Sequence, residues 1–515
     1  IRSDAAGRRV DELAGGTEDD GTVSLETPLG DAAGGFVWFE IEAGAAPVDV
    51  LEGGWSVDAT PLRGSRAVLG MPTVDKAPFV AANLRRLASA PELLASTLRI
   101  LVVDQGGTPV ATDPEVVAAA DELGDALHLI RQPNLGGAGG FSRVMLEATE
   151  EPRADVVTLL DDDIELEPAS LLRAMAFGRA TRVPTIVGGQ QLDLGQPAVV
   201  QAAAELVLPG VFWWGPADER TSTHDHGAVP LPDAPWVHER RDADYNGWWM
   251  CQLPVDAVRR LGLALPLFLK WDDAEYGLRA AAAGVPTVSL PGAAVWHVAF
   301  RTKDDSIEWQ AYFHARNRIV AAMLHGGSAV RVVGHSLALD VKQLLAMQYP
   351  ASRLRHAGIA AALAGPRALG REGDLARARG IAAAAPALPR LPPDAADVAR
   401  PARGGGTGPT GPQLGLWTVG TLVRQLLGAA PVRAVRVPRA SWWVLARHGR
   451  VYAPTADGEA LLLFVRDRRA LVAGLAEAVV LHGRLLLRWR RLARRYGTAA
   501  PSLSSAAAWR RRFTG

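Results

Sequence analysis

One cysteine, Cys251, stands in 515 residues. A single thiol excludes a disulfide framework and fits a reducing compartment. An excess of either charge is also missing: 55 basic residues face 55 acidic ones. With no net charge, nothing global points to nucleic acid. Lysine is scarce, because Arg greatly outnumbers it while Ala is abundant. That bias reads as a GC-rich genome, not as chemistry. No apolar run has the roughly 20 residues that a membrane span needs. The best candidate, RALVAGLAEAVVLHGRLLLRW, is broken by Glu477, His482 and Arg484, so no transmembrane helix is expected. The start at Ile1 shows no signal-peptide pattern, and no internal repeat emerges.

What remains is ordinary for a globular protein: 48% apolar and 21% charged residues, with length enough for two to four domains. Residues 1–62 read as a small β domain, with strands in GGFVWFEIEAG and VDVLEGGWSVDA that bury Trp38 and Trp55. From about 65 to 190, strand and helix alternate, which implies parallel strands covered by helices. Each strand stops at polar residues: Asp75-Lys76, Asp104-Gln105, Gln132-Pro133-Asn134 and Asp161-Asp162-Asp163. Ligands of open parallel sheets sit outside the carboxyl ends of the strands, so four such ends lining up would build one site. Residues from about 205 to 300 are Trp-rich, with mixed strand and loop character. Helical patterns dominate after about 305, interrupted by a Pro/Gly-rich stretch at about 385–413 that reads as a linker or mobile loop.

Five constellations can carry chemistry. In VVTLLDDDIE, a buried strand runs into three carboxylates, and alternation points Asp161 and Asp163 to one side. Two hard oxygen ligands suit Mg²⁺ or Mn²⁺ bridging a diphosphate; the plain alternative is a solvated acidic turn. QPNLGGAGGFSR places four glycines between strand and helix, either to open helix N–H groups to a phosphate or to pack a tight turn. It has neither the dinucleotide-binding spacing nor the Lys-Ser/Thr of a P-loop. FLKWDDAEYGLRA opens a helix with Asp272, Asp273 and Glu275, as caps or as a base beside an aromatic platform with Trp248 and Trp249, which read equally as core. His297 interrupts the apolar strand AAVWHVAF, either as a satisfied core residue or as a ligand if Asp161 and Asp163 are near. The basic end, Arg484 to Arg495 interleaved with Leu485, Leu486, Leu487, Trp489 and Leu492, suits an anionic membrane surface or a solvated face over a bundle.

LLDDDI followed by WWM, FLKWDDAEYGLRA and WH resembles the family 2 inverting glycosyltransferases of the GT-A fold. More narrowly, it resembles the actinobacterial galactofuranosyltransferases that polymerise the cell-wall galactan, over most of the chain. The resemblance implies an α/β fold. A GT-A nucleotide-diphospho-sugar transferase core (63–304) would follow an N-terminal β-sandwich-like domain (1–62) and precede a mainly helical domain (305–515). It implies Asp161, Asp163 and His297 as ligands of Mn²⁺ or Mg²⁺, and Asp273 as catalytic base. Lys76, Gln105, Asn134, Asp162 and His314 fall on the donor side; the family usually carries Arg at the position of Lys76, which a lysine does not imitate in two-pronged contacts. Glu205, Trp214, Tyr245, Trp248, Trp249 and Asp272 fall on the acceptor side. The implied donor is UDP-galactofuranose. The implied acceptor is the 5- or 6-hydroxyl of a galactan on a polyprenyl diphosphate, reached by a peripheral homo-oligomer, a tetramer, at the cytoplasmic face of the membrane. Another metal-dependent glycosyltransferase of this fold, a sugar-phosphate nucleotidyltransferase and a non-catalytic carbohydrate-binding protein are the competing readings.

Overall fold

The computed structural model describes residues 60–222, 224–239, 242–298, 308–371 and 373–385 without a break, most of 388–514, and short stretches of the first 59 residues. At its centre lies a ten-stranded mixed sheet. Ala67–Thr73 (β1), Thr97–Asp104 (β2), Leu127–Arg131 (β3) and Val156–Leu160 (β4) pair in parallel in the order β4-β1-β2-β3. β1 and β4 are buried along their whole length, as mostly apolar strands covered on both faces are. Ala77–Ala88 (α1), Pro114–Leu123 (α2) and Gly136–Glu150 (α3) make the crossovers. The four polar strand ends therefore share one edge, as the alternation predicts.

Beyond β4 the all-parallel expectation stops. Ile186–Asp193 (β5) is separated from β4 by Met250–Pro254 (β7), which runs antiparallel to both. Asp242–Ala243 (β6) borders Thr287–His297 (β8), which lies parallel to β5. β7 enters from the site edge and runs back, so its first residues meet the acidic end of β4: the N–H of Asp161 donates to the Trp249 carbonyl at 3.3 Å.

Of residues 1–62, the described parts hold two short antiparallel ladders, Arg2–Ser3 with Arg9–Asp11 and Gly16–Thr17 with Val23–Ser24. The stretches 44–51 and 53–56 carry no strand. Trp55 is 53% exposed and Trp38 partly so, which corrects the expectation that both are buried. Part of GGFVWFEIEAG lies outside the described residues.

Behind the core, Ala311–Leu324 (α5), Ala329–Leu345 (α6), Tyr349–Ala364 (α7) and Arg468–Leu503 (α9) form a bundle. Pro412–Leu427 (α8) lies against α6. This region also holds a five-stranded mixed sheet, which the helical pattern hid. Two of its strands, Arg390–Leu391 and Arg400–Pro401, come from the stretch read as a linker.

The basic end divides in two. Leu485, Trp489 and Leu492 pack into the bundle, leaving the arginines as its solvated face. Ala506–Phe513 (α10) returns to the catalytic core, where Trp509 is buried and its indole N–H donates to the Ala264 carbonyl at 2.8 Å. The N-terminal half of α9 holds an 18-residue window of mean hydropathy 1.7, only 28% of it buried. By length and composition that helix can cross a membrane, contrary to the sequence reading.

Candidate active site

Strand register brings the acidic triplet and His297 together. After β4 the chain turns through Asp161–Asp163 into Ile164–Leu166, which pairs antiparallel with the end of β8 so that Ile164 faces His297. His297 Nε2 then lies 2.9 Å from Asp163 Oδ1 and 3.5 Å from Asp161 Oδ2. Its Nδ1–H donates to the Val298 carbonyl at 2.7 Å, which reserves Nε2 for a ligand. Burial opposes the charged ring, but the two carboxylates outweigh it and raise His297 to about 10. Burial likewise opposes the Asp163 carboxylate; His297 and Lys76, whose Nζ is 3.3 Å away, outweigh it and hold it well below the usual range. One donor atom from each of Asp161, Asp163 and His297 falls within 4.8 Å of the others. Two carboxylates and an imidazole so placed fit a divalent cation, which would take over the role of the ring proton.

Asp162 points elsewhere. Its Oδ2 accepts from the Val74 N–H at 3.1 Å, tying β4 to β1, and burial beside Asp161 and Asp163 pushes it up to about 7.

Three N–H groups at the start of the glycine-rich turn are engaged within the protein. Gln105 Oε1 accepts from the Leu135 N–H at 2.9 Å, Asn134 Oδ1 from Gly136 at 3.0 Å, and the Phe268 carbonyl from Ala138 at 3.0 Å. The Gln105 amide also donates to the Gly136 carbonyl. The amide groups of Gln105 and Asn134 thus brace the turn. Gly136, at φ 70°, has no room for a side chain: a Cβ would sit 2.1 Å from the Phe268 carbonyl oxygen. The close packing of a tight turn is realised here.

Asp272 and Asp273 begin Asp272–Ala282 (α4), opposite that turn. Burial pushes Asp273 up to about 6, although the Ala274 N–H and the Lys270 ammonium hold it back. Burial and the Asp273 charge push Asp272 up to about 8. Burial and Asp273 also raise Glu205 to about 8, and Glu205 bonds the Tyr245 side chain. A carboxylate poised near neutrality beside two other acids has the character of a general base.

His314 forms the aromatic wall of this end. Its ring packs against both Trp213 (4.8 Å) and Trp214 (4.3 Å), which also touch each other at 5.7 Å, and its Nδ1 accepts from the Trp271 indole N–H at 3.3 Å. Burial drives His314 down to about 3, so the ring is neutral. The sequence reading missed Trp213, Trp271 and Lys270. A lysine beside a tryptophan, in a chain that nearly always uses arginine, was the available signal.

Trp248 and Trp249, expected on the acceptor side, are core residues. Trp248 packs edge-on to Phe141 and Tyr276. Trp249 lies in the core on the other face, its indole N–H donating to the Gly189 carbonyl at 2.8 Å.

The loop before α4 is strained. Phe268, Lys270 and Trp271 have φ of 73°, 65° and 71°. Each costs on the order of 1–2 kcal/mol for a residue with a Cβ, so neighbouring contacts must hold the loop.

Residues 72–322 match the family Glycosyltransferase like family 2, and residues 421–515 match Galactofuranosyltransferase-2, domain 3. The chain is 36% identical to galactofuranosyltransferase GlfT2 of Mycolicibacterium smegmatis over 99% of its own length and 82% of the relative's. It is 36% identical to that of Mycobacterium tuberculosis, over 96% and 80%. Among solved structures it is similar to a mannosyltransferase from Pyrobaculum calidifontis in complex with GDP-Man and Mn²⁺, at a TM-score of 0.35 and 16% identity, over 63% of this chain and 82% of that one. With a glycosyltransferase domain of the GT-A fold and a matching C-terminal domain, the chain belongs to the galactofuranosyltransferase GlfT2 family.

Proposed function

We propose that this glycosyltransferase moves galactofuranose from UDP-galactofuranose to the 5- or 6-hydroxyl of a growing galactan carried on a polyprenyl diphosphate. Asp273 accepts the acceptor hydroxyl proton. That oxygen attacks the anomeric carbon from the face opposite UDP, the bond from that carbon to the UDP oxygen breaks, and UDP leaves with the electron pair. A single displacement inverts configuration and needs no covalent intermediate. Asp161, Asp163 and His297 would hold Mn²⁺ or Mg²⁺. When bound, that ion neutralises the diphosphate and stabilises UDP as a leaving group. Lys76 adds a positive charge on the same side and His314 serves the donor, while Glu205, Tyr245 and Trp214 line the acceptor end. The open apolar faces of α8 and α9 support docking of the enzyme on a membrane surface, where a lipid-linked acceptor resides.

The observation that carries this reading is the convergence of Asp161, Asp163 and His297 at one edge of the sheet. The test is incubation with UDP-galactofuranose and a short galactofuranosyl acceptor, with and without chelator, read by mass. Metal-dependent extension by one sugar supports the reading. Turnover restricted to a pyranose donor removes it.

A further inference from the structure

We infer that Asn317 is a positioning residue for Asp273, acting through the backbone of the loop that precedes α4. Asn317 lies on α5 and is 0% exposed. Its side-chain nitrogen donates to the carbonyls of Leu267, Leu269 and Lys270 at 2.9, 2.8 and 2.9 Å. Two amide hydrogens thus serve three acceptors, so at least one is shared. Three neighbouring carbonyls converge on one nitrogen because the chain between them leaves regular geometry; Phe268, Lys270 and Trp271 are the residues at positive φ.

The amide is itself fixed. Asn317 Oδ1 accepts from Arg316 Nε at 2.8 Å, and Arg316 also bonds the Leu267 carbonyl at 2.8 Å and Asp374 at 2.5 Å. On its other side the loop is held by the Ala138 N–H on the Phe268 carbonyl. Between these anchors the strained segment has little freedom. It leads directly into Trp271, which bonds His314, and into Asp272 and Asp273. A shift of this loop therefore displaces the base and the partner of His314 together. Misplacement of a reacting group by about 1 Å can cost a hundredfold in rate.

The inference rests on Asp273 as the base, and the experiment separates the two claims. The full chain with Asn317→Ala is expected to keep its circular dichroism spectrum and a KM for UDP-galactofuranose within about threefold, while kcat falls on the order of 100-fold. Asn317→Ser, which keeps one donor, is expected to fall between, and serves where the alanine variant does not fold. A second comparison isolates the backbone. Lys270→Gly and Lys270→Ala remove the same charge, but only glycine relieves the positive φ. Asn317→Ala is expected to cost at least tenfold less in the Lys270→Gly background than in the Lys270→Ala one. Equal costs in both, or a kcat loss under threefold, would overturn the inference. Transfer lost in Asp273→Asn but kept in Asn317→Ala removes this inference alone; transfer surviving Asp273→Asn removes the base assignment and the inference with it.

Discussion

The indole N–H of Trp271 donates to Nδ1 of His314 across 3.3 Å, in an aromatic cluster with Trp213 and Trp214. This bond selects a tautomer. With Nδ1 accepting and the ring neutral, the proton sits on Nε2, and His314 acts as a hydrogen-bond donor there without carrying charge. Trp271→Phe keeps the packing and removes the donor. Transfer is expected to fall about tenfold, the worth of one hydrogen bond of roughly 1.4 kcal/mol. His314→Gln, which restores an N–H without the ring, should recover less than the wild type. Steady-state kinetics of the two variants check this; full activity in Trp271→Phe would show that the tautomer does not matter.

The cation site gives a prediction that does not depend on the acceptor. His297→Ala removes the only imidazole of the triad, and Asp163→Asn removes the carboxylate nearest to it. Each is expected to weaken Mn²⁺ binding on the order of 100-fold or more, measured calorimetrically on chelator-treated protein. Asp162→Asn is the control. Its carboxyl is already engaged by the Val74 N–H, so Mn²⁺ affinity should stay within about threefold. If Asp162→Asn proved as damaging as Asp163→Asn, the division of roles within the triplet would be wrong.

The four strand ends and the acidic triplet were legible in the sequence because they obey local rules. Continuous apolar runs make buried parallel strands, and such strands expose their carboxyl ends. His297 needed β8 to run beside the triplet, a long-range pairing that only the family resemblance supplied. Trp248 and Trp249 sit in the turn just before β7 and enter different core clusters, so their burial depends on what covers each, α3 and α4 for Trp248, and not on any local pattern. The antiparallel β7 follows from chain path and leaves no periodic trace. Two-residue strands such as Arg390–Leu391 are shorter than any alternation pattern. The loop at 268–271 was illegible for another reason. Phe, Lys and Trp disfavour the left-handed region, and long-range contacts from Asn317, Arg316 and Ala138 hold the loop there.

Activity should be lost on the acid side at an unusually high pH. A general base works only when deprotonated, and burial has raised Asp273 from the ordinary carboxylate range to about 6. The rate of transfer is therefore expected to fall as pH drops through about 6, not through about 4. Lys270 lowers Asp273, so its removal has a definite sign. In Lys270→Met the acid limb moves to higher pH, while in Lys270→Arg it stays close to the wild type. A pH profile of kcat for the three proteins decides the matter. An acid limb that ignores the charge at position 270 would separate Lys270 from the base.

The open apolar faces yield the last prediction. On α9, Val472, Val479 and Leu487 are 53%, 63% and 88% exposed; on α8, Leu416 and Leu427 are 81% and 80% exposed. Their partners in the fold lie on the opposite sides of both helices, where Leu481 and Leu485 enter the bundle and Gln425 bonds the carbonyls of Leu345 and Ala446. Large apolar side chains on one open face, next to exposed arginines, fit the boundary of an anionic bilayer. Changing an exposed apolar residue to glutamate alters little in the folded core, so Val479→Glu with Leu487→Glu should leave the unfolding midpoint within a few degrees of the wild type. Co-sedimentation with vesicles containing phosphatidylglycerol is expected to drop at least tenfold, while transfer to a short soluble acceptor is retained. Unchanged sedimentation would assign these faces to some contact other than lipid.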